Sequence, residues 1–160
     1  MIIDNLLIFD QGTYSYTTGL TGANQFGSAT TTTSTNVIDL LNARDIGAGS
    51  VNDHADLTVE FLITTAYAGG TSVNFQVQGS TDNTTYVTYC ESGAIAIASL
   101  TAGTRVKLKM PIVNPDGGPA PRYLRLAYVN AGANTAGAVL AWLGSVDNAR
   151  YYPPGVTVSN

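Results

Sequence analysis

The chain predicts an all-β, single-domain β-sandwich, with a jelly roll as the best single architecture. Three observations carry this. First, apolar residues alternate with polar ones in several segments: Leu57, Val59, Phe61 and Ile63 share one face of a strand, and Val73, Phe75 and Val77 share one face of another. Second, turn signals recur at short intervals, as in Gly69-Gly70, Gly79–Asn83 and Asn114–Pro121. Third, charged residues make up only 11% of the 160 residues, and Thr, Gly, Ala, Ser and Asn supply the polar share. That composition suits strands and loops better than long helices. A chain of this length buries about 70% of its unfolded surface and holds a core without metal or disulfide staples.

In chain order, Asn5–Phe9 reads as a first strand ended by Asp10-Gln11-Gly12. Residues 13–35 are rich in Thr, Gly, Ala and Ser and read as a low-complexity surface arm or loop, with some strand around Tyr14-Ser15-Tyr16. Asn36–Leu41 fits a strand or one short helical turn, and 42–49 is a loop. The strand pair 57–63 and 73–78 reads as a hairpin closed by Gly69-Gly70, with a third strand at Tyr86–Tyr89. Ala94–Ile97 and Thr104–Met110 follow as strands, and Pro111 stops the second. Arg122–Val129 is a clear strand, and Ala138–Leu143 returns antiparallel to it as a nearly continuous apolar one. Phe61, Phe75, Val77, Leu124, Leu126 and Trp142 are the expected core. Residues 150–160 read as an extended tail.

The chemistry-bearing residues are few. Cys90 is the single cysteine, so no internal disulfide forms, and it reads as a small packing residue. His54 is the single histidine, and no Gly-x-Ser-x-Gly elbow accompanies it. Two such residues do not make a zinc site. Asp82 and Asp116 are conceivable calcium ligands, but no Asp-x-Asp-x-Asp spacing exists. Gly47-Ala48-Gly49 lacks the third glycine and the helix of a nucleotide loop. The acid pairs Asp53/Asp56 and Asp39/Asp45 stand beside no aromatic cluster of a glycosidase. The expectation is therefore no enzyme and no cofactor. No 18-residue apolar run and no signal-peptide pattern is present, so no membrane association is expected.

Charge is uneven. Five cations (Arg105, Lys107, Lys109, Arg122 and Arg125) face Asp116 alone in the segment they span, while the chain as a whole carries −4. Arg105, Lys107 and Lys109 alternate with apolar residues and should point outward together. They read as a solvated edge that discourages strand pairing, or as a docking stripe for an acidic protein surface. An acidic chain is a poor ligand for phosphates, so nucleic acid is not an expected partner.

Several stretches in order resemble the capsid cement, or decoration, proteins of tailed bacteriophages: Asp4–Asp10, Asn36–Leu40 with Arg44–Gly47, Val77–Tyr86, Pro121–Leu126 and Arg150–Pro153. The resemblance runs from end to end. It implies a jelly-roll virion protein on the capsid exterior, made in the bacterial cytoplasm. Such a protein is commonly a homodimer, clamps neighbouring major capsid subunits and has no catalytic residue. The candidate contacts are the tail Arg150, Tyr151 and Tyr152, the loop residues Arg44 and Asp45, and the stripe Arg105, Lys107 and Lys109. An arginine beside two tyrosines is interface-like in composition, and Pro153-Pro154 stiffens the tail. Two alternatives stand beside this reading. One is a carbohydrate-binding sandwich using Tyr86, Tyr89, Tyr123, Tyr128, Tyr151 and Tyr152. The other is a hydrolase with an unrecognised site.

Overall fold

A computed structural model describes residues 5–26, 30–46, 57–111 and 119–144. Twelve strands are present among them, and the helical content is two single 3-10 turns, Asn5–Leu7 and Ile97–Ser99. The strands are β1 (Ile8–Asp10), β2 (Thr13–Ser15), β3 (Gly19–Thr21), β4 (Ala23–Asn24), β5 (Thr31–Thr33) and β6 (Ile38–Asp39), all short. The longer ones are β7 (Thr58–Gly69), β8 (Ser72–Ser80), β9 (Val87–Ala96), β10 (Arg105–Lys109), β11 (Tyr123–Ala131) and β12 (Asn134–Leu143).

β2 and β3 pair as a separate two-stranded sheet, and the other ten build two antiparallel sheets that pack face to face. One has the order β1-β12-β7-β10, with β4 also on β12; the other has β5-β11-β8-β9, with β6 also on β11. β1 pairs with Trp142 and Ala141 while β4 pairs with Ala138 and Val139, so the two lie end to end along one edge of β12. β5 and β6 divide the edge of β11 in the same way. Between the sheets, Val59, Phe61 and Ile63 of β7 meet Val73, Phe75 and Val77 of β8 and Leu124, Leu126 and Tyr128 of β11, all fully buried. Their rings meet edge to face, with centroids 5.1 Å apart for Phe61–Phe75 and 5.6 Å for Phe75–Tyr128. Each such pair adds about 0.5–1.5 kcal/mol beyond area burial.

The alternation of side chains is as expected, but the partners differ. β7 and β8 are not a hairpin: β7 pairs with β10 and β12, and β8 with β9 and β11. Gly69 and Gly70, at φ of +70° and +51°, turn the chain from one sheet into the other. The apolar faces of β7 and β8 therefore face each other across the core instead of lying side by side. β11 and β12 are likewise split between the sheets. The segments 86–89 and 94–97 merge into the single strand β9, bent at Gly93, whose φ is +71°.

Two further expectations need correcting. Residues 13–35, read as a low-complexity arm or loop with some strand around Tyr14-Ser15-Tyr16, hold more strand than that: the described part supplies β2, β3, β4 and β5. Trp142 is buried, but on the outer face of its sheet, level with Ile8 and Glu60, because Val139, Ala141 and Leu143 occupy the core side. The other five expected core residues lie in the core. No helix among the described residues is long and apolar enough to cross a membrane.

Candidate interaction surfaces

The cationic stripe lies on β10, an edge strand paired only to β7. Arg105, Lys107 and Lys109 are exposed, while Leu108 and Met110 are buried, so the three cations do project from one side. They are not equivalent. Arg105 Nη1 donates to Glu60 Oε1 at 2.9 Å, and Glu60 is fully buried. Glu60 sits in register with Lys107 on one side and Trp142 on the other, on the outer face of the sheet. Sequence alternation placed Glu60 on a solvated face, so nothing in the local pattern signals its burial. Arg105 thus answers a buried carboxylate of its own chain, which removes much of its value as a free docking charge.

Arg44 and Asp45 lie in the loop after β6. Arg44 is exposed, and its backbone N–H donates to the Pro121 carbonyl at 3.0 Å. Asp45 is half-buried and close enough to Tyr89 to help hold that phenol above its usual range, although burial is the larger cause. The tail residues Arg150, Tyr151 and Tyr152 lie outside the described residues, as do His54, Asp53, Asp56 and Asp116.

The remaining acids among the described residues are engaged. Asp39 accepts from Arg122 Nε and Nη2, both at 2.8 Å, and from the Leu41 N–H. The guanidinium holds its carboxyl below the usual range. Asp82 closes the β8–β9 turn: its Oδ1 accepts the Thr84 and Thr85 N–H groups and the Ser80 hydroxyl, each at 2.8 Å. Those bonds bring its pKa down to about 2. Among the described residues, no group of three or more His, Cys, Asp or Glu is gathered as a metal site.

Asp10 is the acid that local reasoning misread most. Placed at the end of β1, it looks like a turn residue, yet it is fully buried. Its Oδ1 accepts from Gln25 Nε2 (3.0 Å), Thr35 N–H (2.8 Å) and Thr35 Oγ1 (2.9 Å), and its Oδ2 accepts from Tyr128 O–H (2.5 Å). Tyr67 O–H donates to the Gln25 carbonyl alongside, at 2.9 Å. Burial first, and the Asp10 charge second, push both phenols above their ordinary value. This polar knot joins β1, the residues around β4 and β5, and both sheets.

The outer face of the second sheet is an amide and arginine lattice. Glu91 accepts from Asn74 and Gln76 (2.8 Å each), and Arg125 donates to Gln78 at 2.9 Å. Arg125 lies 3.7 Å over the Tyr86 ring and Arg122 lies 4.9 Å over Tyr123. Of the tyrosines considered for sugar stacking, Tyr128 is fully buried and Tyr86 and Tyr123 each have a face covered by arginine.

Large apolar side chains are exposed singly at Leu41 (74%) and Val87 (59%), and with neighbours in two places. Leu6 is 77% exposed, and it lines with Val37, itself 42% exposed, a groove of about 350 Å³ near β1 and β6. The second place is the β2–β3 hairpin, which belongs to neither large sheet. Tyr16 is 98% exposed, Tyr14 70% and Leu20 44%.

A family model described as Bbp16 matches residues 14–143. No curated protein matches the chain.

Proposed function

The chain belongs to the Bbp16 family, and we propose that it is a structural virion protein. In this reading it binds the outer surface of the assembled phage capsid, cements neighbouring major capsid subunits and carries no catalytic site. The order of the resembling segments supports this reading, and one structural observation carries it. The acids among the described residues are turned inward or paired off, while several large apolar side chains face solvent. Asp10 and Glu60 are buried and Asp39 and Asp82 are engaged. Tyr16, Leu6, Leu41 and Tyr14 meanwhile stand 70% or more exposed. Neighbouring exposed apolar groups, such as Tyr14 and Tyr16 with ring centroids 5.7 Å apart, mark interaction surfaces, whereas single ones do not.

The architecture in this reading is a jelly roll. Counting the divided edges as one strand each, the sheets run first-eighth-third-sixth and second-seventh-fourth-fifth, an eight-stranded pattern that supports two nested Greek keys. A homodimer with two-fold symmetry on the capsid exterior completes the proposal, since isologous pairing is the common route to closed assembly. Contacts to subunits already held in a lattice combine through effective concentration. Binding only the assembled form stabilises it by mass action.

Co-sedimentation with purified heads lacking this protein tests the reading. Saturable binding to heads, absence of binding to free major capsid subunits, and heads that withstand heating better are the expected results. No binding to heads refutes it. The carbohydrate alternative is favoured by the amide, tyrosine and arginine face of β8, β9 and β11. A glycan-array hit abolished by Tyr86→Ala or Tyr123→Ala, with no head binding, selects it instead.

A further inference from the structure

The β2–β3 hairpin spans nine residues, Thr13–Thr21, without a charge. Thr13, Tyr14 and Ser15 pair with Thr21, Leu20 and Gly19, leaving Tyr16, Thr17 and Thr18 as the loop. Gly19 at φ +74° supplies the left-handed residue that such a three-residue loop requires. The Thr17 N–H donates to Ser15 Oγ at 3.2 Å and tightens the turn.

Tyr14 and Leu20 lie directly opposite each other, so mutual packing explains their presence. Tyr16 is different. It stands at the tip, outside the paired register, and its ring meets the edge of Tyr14 at 5.7 Å while remaining 98% exposed. A nearly naked aromatic at a hairpin tip contributes little to this chain's own stability.

The hairpin is firmly rooted. The Gly22 N–H donates to Thr64 Oγ1 at 2.7 Å, and that hydroxyl donates to the Ala138 carbonyl at 3.1 Å. Any side chain at Gly22 would run into the Val139 backbone, so the base sits directly on β12. A fixed root holds the tip in place and lowers the ordering cost of binding. The treatment of the edges points the same way. β10 carries three cations that discourage strand addition, and the hairpin carries none.

Resting on the capsid reading above, we propose that this hairpin is its principal grip, with Tyr14, Tyr16 and Leu20 seated in an uncharged apolar recess of the assembled lattice. A second copy of the chain is a poorer occupant. Two tyrosines offer roughly 300–500 Å² at the 150–250 Å² typical of each aromatic, and the half-exposed Leu20 adds less than either. A stable two-body interface needs about 800 Å² per partner. A contact of this size holds where several act together on subunits already fixed in place.

The test uses purified heads lacking this protein, the full chain, and a Tyr14→Ser, Tyr16→Ser, Leu20→Ser variant, each melted beforehand. The single variant Tyr16→Ser, which leaves the Tyr14–Leu20 pair intact, covers the case in which the triple variant unfolds. The natural chain is expected to bind heads, and binding should persist or tighten in sodium sulfate, which strengthens apolar contacts. Folded triple variant should bind at least tenfold more weakly, and Tyr16→Ser severalfold more weakly. If the natural chain binds and a folded variant binds equally well, the hairpin is not the grip, and the capsid reading survives. Binding abolished by raising sodium chloride to about 0.5 M would move the grip to exposed charges. Light scattering that shows the substitutions splitting a solution dimer would assign the hairpin to a second copy. Failure of the natural chain to bind heads overturns both this inference and the reading beneath it.

Discussion

Asp10 offers the sharpest test of how the sandwich is held. Asp10→Ala removes the acceptor of four hydrogen bonds at once. The loss is unequal among the donors. Thr35 is exposed and its two donors regain water, but Gln25 is 3% exposed and Tyr128 is fully buried. The Tyr128 hydroxyl is therefore stranded in the interior, and Gln25 Nε2 keeps only the Thr33 carbonyl at 3.2 Å and loses the partner of its other N–H, at about 1–3 kcal/mol each. With the small cavity left behind, the total should be about 3–5 kcal/mol, a large part of the 5–15 kcal/mol typical of a domain. Urea unfolding followed by tryptophan fluorescence measures it as a drop in midpoint at unchanged slope. Tyr128→Phe leaves one acceptor oxygen without its donor and should cost about 1–2 kcal/mol. Combining the two should cost less than the sum, since Ala and Phe no longer strand one another. A loss below about 1 kcal/mol for Asp10→Ala, or strict additivity with Tyr128→Phe, would refute the view that this knot ties the sheets together.

Three other outcomes follow from the same structure. Arg105→Ala should destabilise the fold by about 1–3 kcal/mol, since it strands the buried Glu60 carboxylate while its own half-exposed position limits the loss; Lys107→Ala should change stability by less than about 0.5 kcal/mol, and equal effects in paired melts would contradict the assignment. Tyr67 and Tyr128 have phenols raised above their ordinary value, so their contribution is fully present below about pH 10 and declines as pH rises above that, where the unfolded chain ionises first. Absorbance titration at 295 nm should show two tyrosines ionising only as the protein unfolds, and early titration of all nine would be inconsistent with this burial. Burial pushes the Cys90 thiol up to about 11, which at pH 8 should slow its reaction with thiol reagents about 100-fold relative to an ordinary cysteine; reaction at the rate of a free thiol would place it in solvent.

Much of the β-structure was legible from period-two alternation, because a strand exposes its two faces independently of its neighbours. Val59, Phe61 and Ile63, or Leu124 and Leu126, declare a buried side wherever the strand is placed. The outward run of Arg105, Lys107 and Lys109 was legible for the same reason. Of the candidate contacts, the stripe was recoverable as a surface feature. The uncharged Thr13–Thr21 hairpin was visible only as the Tyr14-Ser15-Tyr16 strand signal, within a segment whose composition looked unstructured.

Partnership is another matter. Alternation tells which side of β7 is apolar, but not whether β8 lies beside it or across from it. Gly69-Gly70 is compatible with both, and opposing the two apolar faces buries both at once. The same limit hid the value of the polar residues. Asp10, Glu60, Gln25 and Thr35 look like surface residues one by one, since burying any of them alone is costly. Their partners lie far along the chain: Tyr128 for Asp10, Arg105 for Glu60. The sequence alone determined the longer strands and the apolar faces of β7, β8 and β11, because those follow from local geometry. Only the tertiary structure decided which strands pair, which acids are buried and which aromatic is left bare at Tyr16, because each depends on residues that folding alone brings within reach.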